Sequence, residues 1–439
     1  MRSVTPKNKK GDAMNDSIIA HKLLKQLEAF LGRLSPHFHK PTAHFIGDML
    51  YGIIAAEDIK LSRIVRALKS KTIPKKVEDR LSRMLSTNGL EQQLHQFIAS
   101  EGAGYIHQNT LIILDPSDCQ KPYAKKMEYL EKVWDGSKGE VGTNLGYHGC
   151  MAVACENGGR KPIPLHLRLW SVSAPGFKSE RNEVETIVET ITKFTGQRGI
   201  FVYDRGGDSI EFYKYMIQKK LNFIVRLKER TVYNQNQKDL CGEVARRCKM
   251  LYREVIRFNH HGKERAVTLE FGVVPVYLPD LPDKPLHMVV VNGFGKSPMM
   301  LLTTLAKTDS RKALWQVVRG YLTRWRIEET IRHIKQSYGL EDIRLLKYEK
   351  LKAMAAILLT AVYFSMAWIG NTEKHAVIAA TIAYKALRIH AVPEYHFYAI
   401  ADGTREVLAH GRRWSSSTLK MPPSEKELTL FIHFGLDST

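Results

Sequence analysis

The chain has 439 residues, which is long enough for two or three domains. Its 44% apolar and 9% aromatic content is ordinary for a soluble protein that buries a core. Lys and Arg outnumber Asp and Glu by 66 to 45, which gives a net charge of +21 and a pI near 9.6. Such an excess favours a polyanionic partner, either nucleic acid or an anionic membrane face, over a merely basic protein of another class.

The cysteines argue against two common kinds of site. Their number is odd and they lack paired CxxC spacing, so a zinc site of the usual ligand spacing is not expected. Residues 1–16 are polar and lack the apolar stretch of a signal peptide. We therefore predict a reducing, cytoplasmic setting without disulfides. The five cysteines are Cys119, Cys150, Cys155, Cys241 and Cys248.

The first hundred residues predict a small basic helical domain. We expect residues 1–16 to be disordered and residues 17–104 to form short helices separated by breakers. Up to residue 100 there are 17 Lys and Arg against 9 Asp and Glu, and Arg63 and Arg66 lie at helical spacing. This pattern favours DNA binding, with a helix-turn-helix as one form of it. A solvated helix face is the alternative.

From about residue 105 the pattern changes to alternating strands and helices, which predicts an α/β fold with a mixed sheet. We assign residues 105–229 to the first part of this core. Asp208 and Glu211 have the Asp–x–x–Glu spacing of a helix cap, so a helix is expected to begin there. The predicted strands are 110–115, 145–156, 162–170, 199–204 and 222–227, with a helix over 182–194.

Residues 230–310 predict a β-rich insertion with a hairpin at Asn292-Gly293. A long helix is expected over 311–336, and residues 311–372 would form the second part of the core. Residues 373–439 are left as a C-terminal region that could serve dimerisation or DNA contact.

One apolar segment could cross a membrane. Residues 353–370 run eighteen positions without a charge, which just reaches the length of a spanning helix. However, the segment is rich in Ala, contains Thr360 and Ser365, and follows a highly charged helix closely. A helix buried on all sides in a large domain has the same composition. We therefore predict a buried core helix and no membrane partner.

Two predicted strands end in a carboxylate, Asp115 and Asp204. In an open α/β sheet, ligands bind outside such strand ends. Two neighbouring carboxylates repel each other unless a cation lies between them, and Mg²⁺ suits that arrangement. Paired ions of this kind catalyse phosphoryl transfer. Asp115 could instead simply end a strand before Pro116, and Asp118 in the same loop could be the ligand.

The predicted long helix adds a third carboxylate. Its spacing places Tyr321, Arg324, Glu328 and Lys335 on one helix face. A surface ion-pair ladder is the ordinary explanation for such a face. The helix nevertheless carries more positive charge than its acids balance, which favours contact with a phosphate backbone. Trp325 could belong to the core or stack on an unpaired base. The additional cations on this helix include Arg326 and Arg332.

These four positions resemble the Tyr–Arg–Glu–Lys signature of the insertion-sequence group-four (IS-four) transposases, a branch of the DDE transposases with a ribonuclease H-like core. The resemblance covers roughly residues 105–370. It implies a ribonuclease H-like mixed sheet with flanking helices, a β-rich insertion and an N-terminal all-helical domain. It also implies that Asp115, Asp204 and Glu328 are catalytic and hold Mg²⁺ or Mn²⁺.

The implied reaction is metal-dependent cleavage of DNA at transposon ends, followed by attack of the freed 3′-hydroxyl on target DNA. A homodimer acting in the bacterial cytoplasm would be expected. By the same resemblance, Arg324 and Lys335 would contact phosphates and Tyr321 would help to hold the backbone. The loop between Asp115 and Asp118 departs from the family's small-residue sequences, so both acids stay candidates. A structure-specific nuclease and a non-catalytic DNA-binding descendant are the alternative functions.

Overall fold

A computed structural model describes residues 9–135, 140–159, 161–235, 237–260, 263–305, 310–385, 397–409 and 414. The first helix begins at Lys9, within the segment predicted to be disordered, and residues 1–8 lie outside the described residues. Much of the predicted C-terminal region, including all but one of residues 410–439, also lies outside them.

The N-terminal helices pack together with helices from the other end of the chain. Apolar residues of α2 face the later helix α11, Tyr348–Tyr363. Another late helix, α13, Phe397–Ala409, packs against α1 and α2. Phe30 of α1, for example, contacts Phe364 with ring centroids 5.5 Å apart. The N-terminal helices are α1 Lys9–Leu34, α2 Lys40–Ala56, α3 Leu61–Leu68, α4 Pro74–Met84 and α5 Leu90–Gly102.

The sheet begins with an antiparallel group and continues with parallel strands. β1 pairs antiparallel with β3 and parallel with β5, and β5 pairs parallel with β6. The resulting order β4-β3-β1-β5-β6 is ribonuclease H-like, as expected. The short β2, which pairs with β3, was not predicted. The strands are β1 Leu111–Gln120, β2 Glu131–Asp135, β3 Glu140–Cys155, β4 Ile163–Trp170, β5 Ile200–Tyr203 and β6 Asn222–Arg226.

The predicted insertion extends this sheet. β12 pairs antiparallel with β6, and β11 and β10 follow in order, so the sheet continues without interruption. The hairpin after Asn292 joins β11 to β12, and Gly293 has φ +113°, a value that favours glycine. The elements are β7 Thr231–Asn234, β8 Gln237–Leu240, α8 Cys241–Arg246, β9 Tyr252–His260, β10 Lys263–Leu278, β11 Leu281–Asn292 and β12 Met299–Thr303.

Helices cover both faces of the sheet because its central strands are apolar on both sides. Alternate residues of β1 belong to different cores: Leu111 and Ile113 face one, and Ile112 and Leu114 face the other. The second core contains α6 Glu180–Thr195 and α7 Ile210–Gln218. The first contains α9 Arg311–Thr323, α10 Trp325–Tyr338 and α11 Tyr348–Tyr363, and the remaining helices are α12 Asn371–Lys385 and α13 Phe397–Ala409.

Two local predictions were wrong. The helix expected over 311–336 is two helices that meet at Arg324. The hydrogen-bond pattern changes there, because the Arg324 N–H donates to the Tyr321 carbonyl, three residues back, as in a 3₁₀ turn. The cap of α7 is Ser209, whose hydroxyl accepts from the Phe212 N–H at 3.2 Å. Asp208 instead pairs with a distant side chain, Arg230.

The apolar segment is a buried core helix, as predicted. The helical stretch Tyr348–Trp368 is long and apolar enough to cross a membrane, but 83% of its apolar window is buried inside the protein. The stretch comprises α11 and a π-helical turn, Phe364–Trp368. α11 lies against α2, α5 and β4, so its apolar composition is explained by packing.

Candidate active site

The parallel pairing of β1 and β5 brings two carboxylates together. Leu114 lies opposite Tyr203 in the register, and the next residues in the two chains are Asp115 and Asp204. β5 ends there because a short 3₁₀ turn begins, and Asp204 Oδ1 accepts from the Gly206 N–H at 2.7 Å. Burial raises the pKa of Asp115, and the charge of Asp204 raises it further.

Arg324 connects Asp115 to the third carboxylate. Its guanidinium donates from Nη1 to Asp115 Oδ1 at 2.8 Å and from Nη2 to Glu328 Oε1 at 2.6 Å. The Arg324 side chain is 16% exposed and that of Asp115 14%, so this contact is poorly screened by solvent. The break between α9 and α10 places Arg324 where it reaches both acids.

The site has more negative than positive charge when all three acids are ionised. Desolvation is the largest cause of the raised pKa of Asp115, which lies at about 7. The neighbouring Asp204 and Glu328 charges act in the same direction, and Arg324 opposes them. Arg324 pairs with Asp115 and Glu328, and Asp204 adds a third negative charge beside Asp115, which is the electrostatic condition under which an additional cation is stabilised.

The chemistry of these donors fits a hard divalent cation. Mg²⁺ prefers carboxylate oxygens and is usually held by only one or two of them. Asp115, inside β1, and Asp204, directly after the end of β5, supply such a pair. Glu328 is bound to Arg324, and among the described residues there is no group of three or more His, Cys, Asp or Glu side chains that could hold a metal ion. Joint binding of one ion by all three acids would therefore require Glu328 to move closer to Asp115 and Asp204.

Asp118 lies on the other face of β1. Side chains alternate along a strand, so Asp118 is on the face of Leu114 and Asp115 is on that of Ile113. Asp118 Oδ2 accepts from Gln120 Nε2 at 2.9 Å. The open cleft beside Asp115 is lined by Asp115, Ser117, Glu328, Ile331, Arg332, Lys335, Gln336 and Glu341.

The other signature residues differ in exposure. Tyr321 is buried, and the Arg324 guanidinium lies 5.9 Å from the centroid of its ring. Lys335 lines the cleft and pairs with Glu341 at 3.0 Å. Trp325 is 55% exposed, so it does not belong to the core.

The remaining predicted DNA contacts are distributed over two regions. Arg332 lies in the cleft and is 3.7 Å from Glu329, and Arg326 is half-buried on the same helix. Arg63 and Arg66 are exposed on α3 and do not line the cleft.

The turn between β3 and β4 holds the end of α9, a contact that the sequence did not reveal. Asn157 Nδ2 donates to the Gln316 carbonyl at 2.8 Å, and the Gly158 N–H donates to Thr323 Oγ1 at 2.8 Å. A Cβ on Gly158 would meet Arg319 Nε at 2.0 Å, and Gly158 has φ +76°. This turn therefore fixes the helix directly before Arg324.

Glu341 is a further cleft residue that sequence reasoning missed. It accepts from the Gln120 N–H at 3.3 Å as well as from Lys335, so it connects β1 to the end of α10. The sequence signal that could have indicated Glu341 is its position two residues after Gly339. That glycine ends α10 in the left-handed conformation, with a φ of +64°.

A family model described as a transposase DDE domain matches residues 106–364, more than half of the chain. No curated protein matches. Among solved structures, a cryo-EM structure of the piggyBac transposase synaptic complex with hairpin DNA is similar, with 11% identity and a TM-score of 0.40, over 99% of this chain and 78% of that chain. The chain thus belongs to the transposase DDE domain family and is a DDE transposase, an enzyme of DNA transposition that cleaves and transfers DNA strands.

Proposed function

We propose that this transposase uses Asp115, Asp204 and Glu328 as its catalytic carboxylates. The observation that carries the proposal is their convergence. Asp115 and Asp204 follow paired positions of β1 and β5, and Glu328 is tied to Asp115 through Arg324. The position of Asp118 on the other face of β1 supports Asp115 as the first acid.

The three acids would hold Mg²⁺ or Mn²⁺. When bound, the divalent ions supply activation of the attacking oxygen and stabilisation of the leaving oxygen. Asp115 and Asp204 provide hard oxygen donors, and burial of Asp115 limits competition from water. Arg324 neutralises part of the acids' charge, and Tyr321 packs beneath its guanidinium.

We assign the chain to the IS-four group within the DDE transposases. The support is the placement of the four signature residues, since Arg324 contacts Glu328 and Lys335 lines the same cleft. Tyr321 lies one turn before Arg324 and stays within reach of its guanidinium. On this assignment Arg324, once released from the acids, and Lys335 contact DNA phosphates near the cleaved bond.

The rest of the chain would position the DNA. The helical region 17–104 would bind DNA, with the exposed Arg63 and Arg66 among its contacts. Trp325 is exposed at the start of α10 and would stack on an unpaired base, and Arg326 and Arg332 would add phosphate contacts.

We further infer that the enzyme acts as a homodimer on paired transposon ends in the bacterial cytoplasm. The β-rich segment 230–310, between the two parts of the core 105–229 and 311–372, would contribute to this assembly. The region 373–439 would serve dimerisation or DNA contact.

The test is strand cleavage on a duplex taken from the DNA that flanks the reading frame. Replacing Asp115, Asp204 or Glu328 singly with Ala should abolish cleavage and leave DNA binding nearly unchanged, because each removes a metal ligand without removing a phosphate contact. The matched control is Asp118→Ala, which should cleave normally. Cleavage by Asp115→Ala together with inactivity of Asp118→Ala would show that the first ligand is Asp118. Cleavage without strand transfer by the wild type would favour the nuclease alternative.

A further inference from the structure

A second surface carries exposed cations around an exposed aromatic ring. It is formed by the segment that follows β1 and by the connection between α10 and α11. Tyr123 is 78% exposed, and the Arg344 guanidinium lies 5.8 Å from the centroid of its ring. We call this surface the Tyr123 platform, and its members, all exposed, are Tyr123, Lys125, Lys126, Arg344 and Lys347.

The two segments that carry the platform are joined by hydrogen bonds. The buried Lys121 donates from Nζ to the Leu340 carbonyl at 2.6 Å. The Glu128 N–H donates to the Leu346 carbonyl at 2.9 Å, and the Glu128 carboxylate accepts from Lys347 Nζ at 2.6 Å. These contacts hold the two segments side by side. The backbone positions of the platform's cations are therefore fixed relative to one another.

Most of the platform's charge is not balanced by acids. Lys347 pairs with Glu128, but within the described part of the chain Lys125, Lys126 and Arg344 have no carboxylate within ion-pair distance. The Tyr123 ring restrains the Arg344 guanidinium without neutralising it. A restrained guanidinium with free donors is well suited to bind a phosphate group.

The platform adjoins the catalytic cleft in the chain between α10 and α11. Glu341 lines that cleft, and Arg344, three residues later, lines a second groove. This groove continues to α3 and α4. Its other basic residues are Lys60, Lys75, Lys347 and Lys350, and its acids are Glu78 and Asp79. A polyanion that leaves the cleft on this side would therefore meet the platform next.

We propose that the Tyr123 platform binds the phosphate backbone of the DNA flank that leaves the cleft, with Tyr123 as a positioning residue for Arg344. The proposal rests on the proposed function, because the cleft at Asp115 sets where the flank begins. A strand rises about 3.4 Å per residue, which puts Gln120, three residues before Tyr123, about 17 Å from Asp115. DNA advances about 3.4 Å per nucleotide, so the contact falls roughly six nucleotides from the cleaved phosphate.

The experiment measures binding of the full chain, in EDTA, to a duplex of about 30 base pairs and arbitrary sequence, since phosphate contacts do not depend on sequence. Arg344→Ala should weaken binding about tenfold, the effect of one charged hydrogen bond, and flatten the log–log salt slope by about one unit. Tyr123→Ala should weaken binding less and keep the slope, because the charge remains. Tyr123→Phe, which keeps the ring, should bind like the wild type.

The matched control is Lys219→Ala. Lys219 also lies over a tyrosine, 5.6 Å from the Tyr215 ring centroid, but it is the C-cap residue of α7, at the other face of the sheet. Its loss should leave affinity and slope unchanged. An unchanged slope in Arg344→Ala, or an equal loss in Lys219→Ala, would overturn the proposal. Since binding is measured without cleavage, failure of the catalytic assignment would appear separately, as cleavage by the carboxylate variants.

Discussion

The raised pKa of Asp115 predicts a measurable dependence of stability on pH. In the folded protein its pKa lies at about 7, against an ordinary value of 3.8, chiefly because the carboxyl is buried. The folded state therefore keeps a proton that the unfolded state releases. The stabilisation from this group is complete below about pH 4 and is lost as the pH rises to about 7. At 1.36 kcal/mol per pKa unit, the loss is about 4 kcal/mol.

Asp115→Asn removes this titration and retains the shape of the side chain. We expect the free energy of unfolding of the wild type, measured in EDTA by urea denaturation from pH 4 to 8, to fall relative to that of the variant by up to about 4 kcal/mol. Every other titrating group is common to both proteins, so the difference reports Asp115 together with its coupling to Asp204 and Glu328. Added Mg²⁺ should stabilise the wild type at pH 8 more than it stabilises the variant. If the unfolding free energies of the wild type and the variant change with pH in the same way in EDTA, the reasoning is refuted.

Two further predictions concern the fold around the site. Gly158→Ala should lower the free energy of unfolding by about 1–2 kcal/mol in urea denaturation through its positive φ, since the Arg319 guanidinium that its Cβ would meet is the end of a long side chain and can move away. Gly176→Ala, at φ +84° with nothing within 4 Å, should cost about the same, and the absence of any loss at Gly158 would contradict the strain expected at its positive φ. Because α11 is buried, cell fractionation should release the protein with salt alone. A requirement for detergent would contradict the buried position of α11.

Much of the catalytic sheet could be predicted because its strands are short, apolar and bounded by turns. β5 and β6 lie where the sequence pattern indicates them, and parallel pairing then brings Asp115 beside Asp204. β1 continues past its predicted end at Asp115 to Gln120, because its pairing with β3 continues, so Asp118 is a strand residue and not a loop residue. β2 was missed because its charged residues at 131, 132 and 135 leave little apolar pattern in five residues.

The contacts that shape the site depend on the tertiary structure. No Gly or Pro marks the helix break at Arg324, and its bond to Asp115 joins residues 209 positions apart. The choice of cap at α7 has a similar cause. Asp208 and Ser209 are both good capping residues, but Arg230 binds Asp208, and Ser209 is then the cap. Local sequence cannot indicate that competition.

The packing of α2 and α5 on α11 has a consequence for how the protein is made. The ribosome produces the N-terminal helices first, and α11 follows only after the whole catalytic sheet. At a synthesis rate of about 5–20 residues per second, roughly 15–60 seconds pass between the synthesis of α2 and the synthesis of α11. During that interval the nascent chain exposes a surface that chaperones recognise. A messenger truncated before α11 should therefore yield aggregated protein, even though every catalytic residue has been translated.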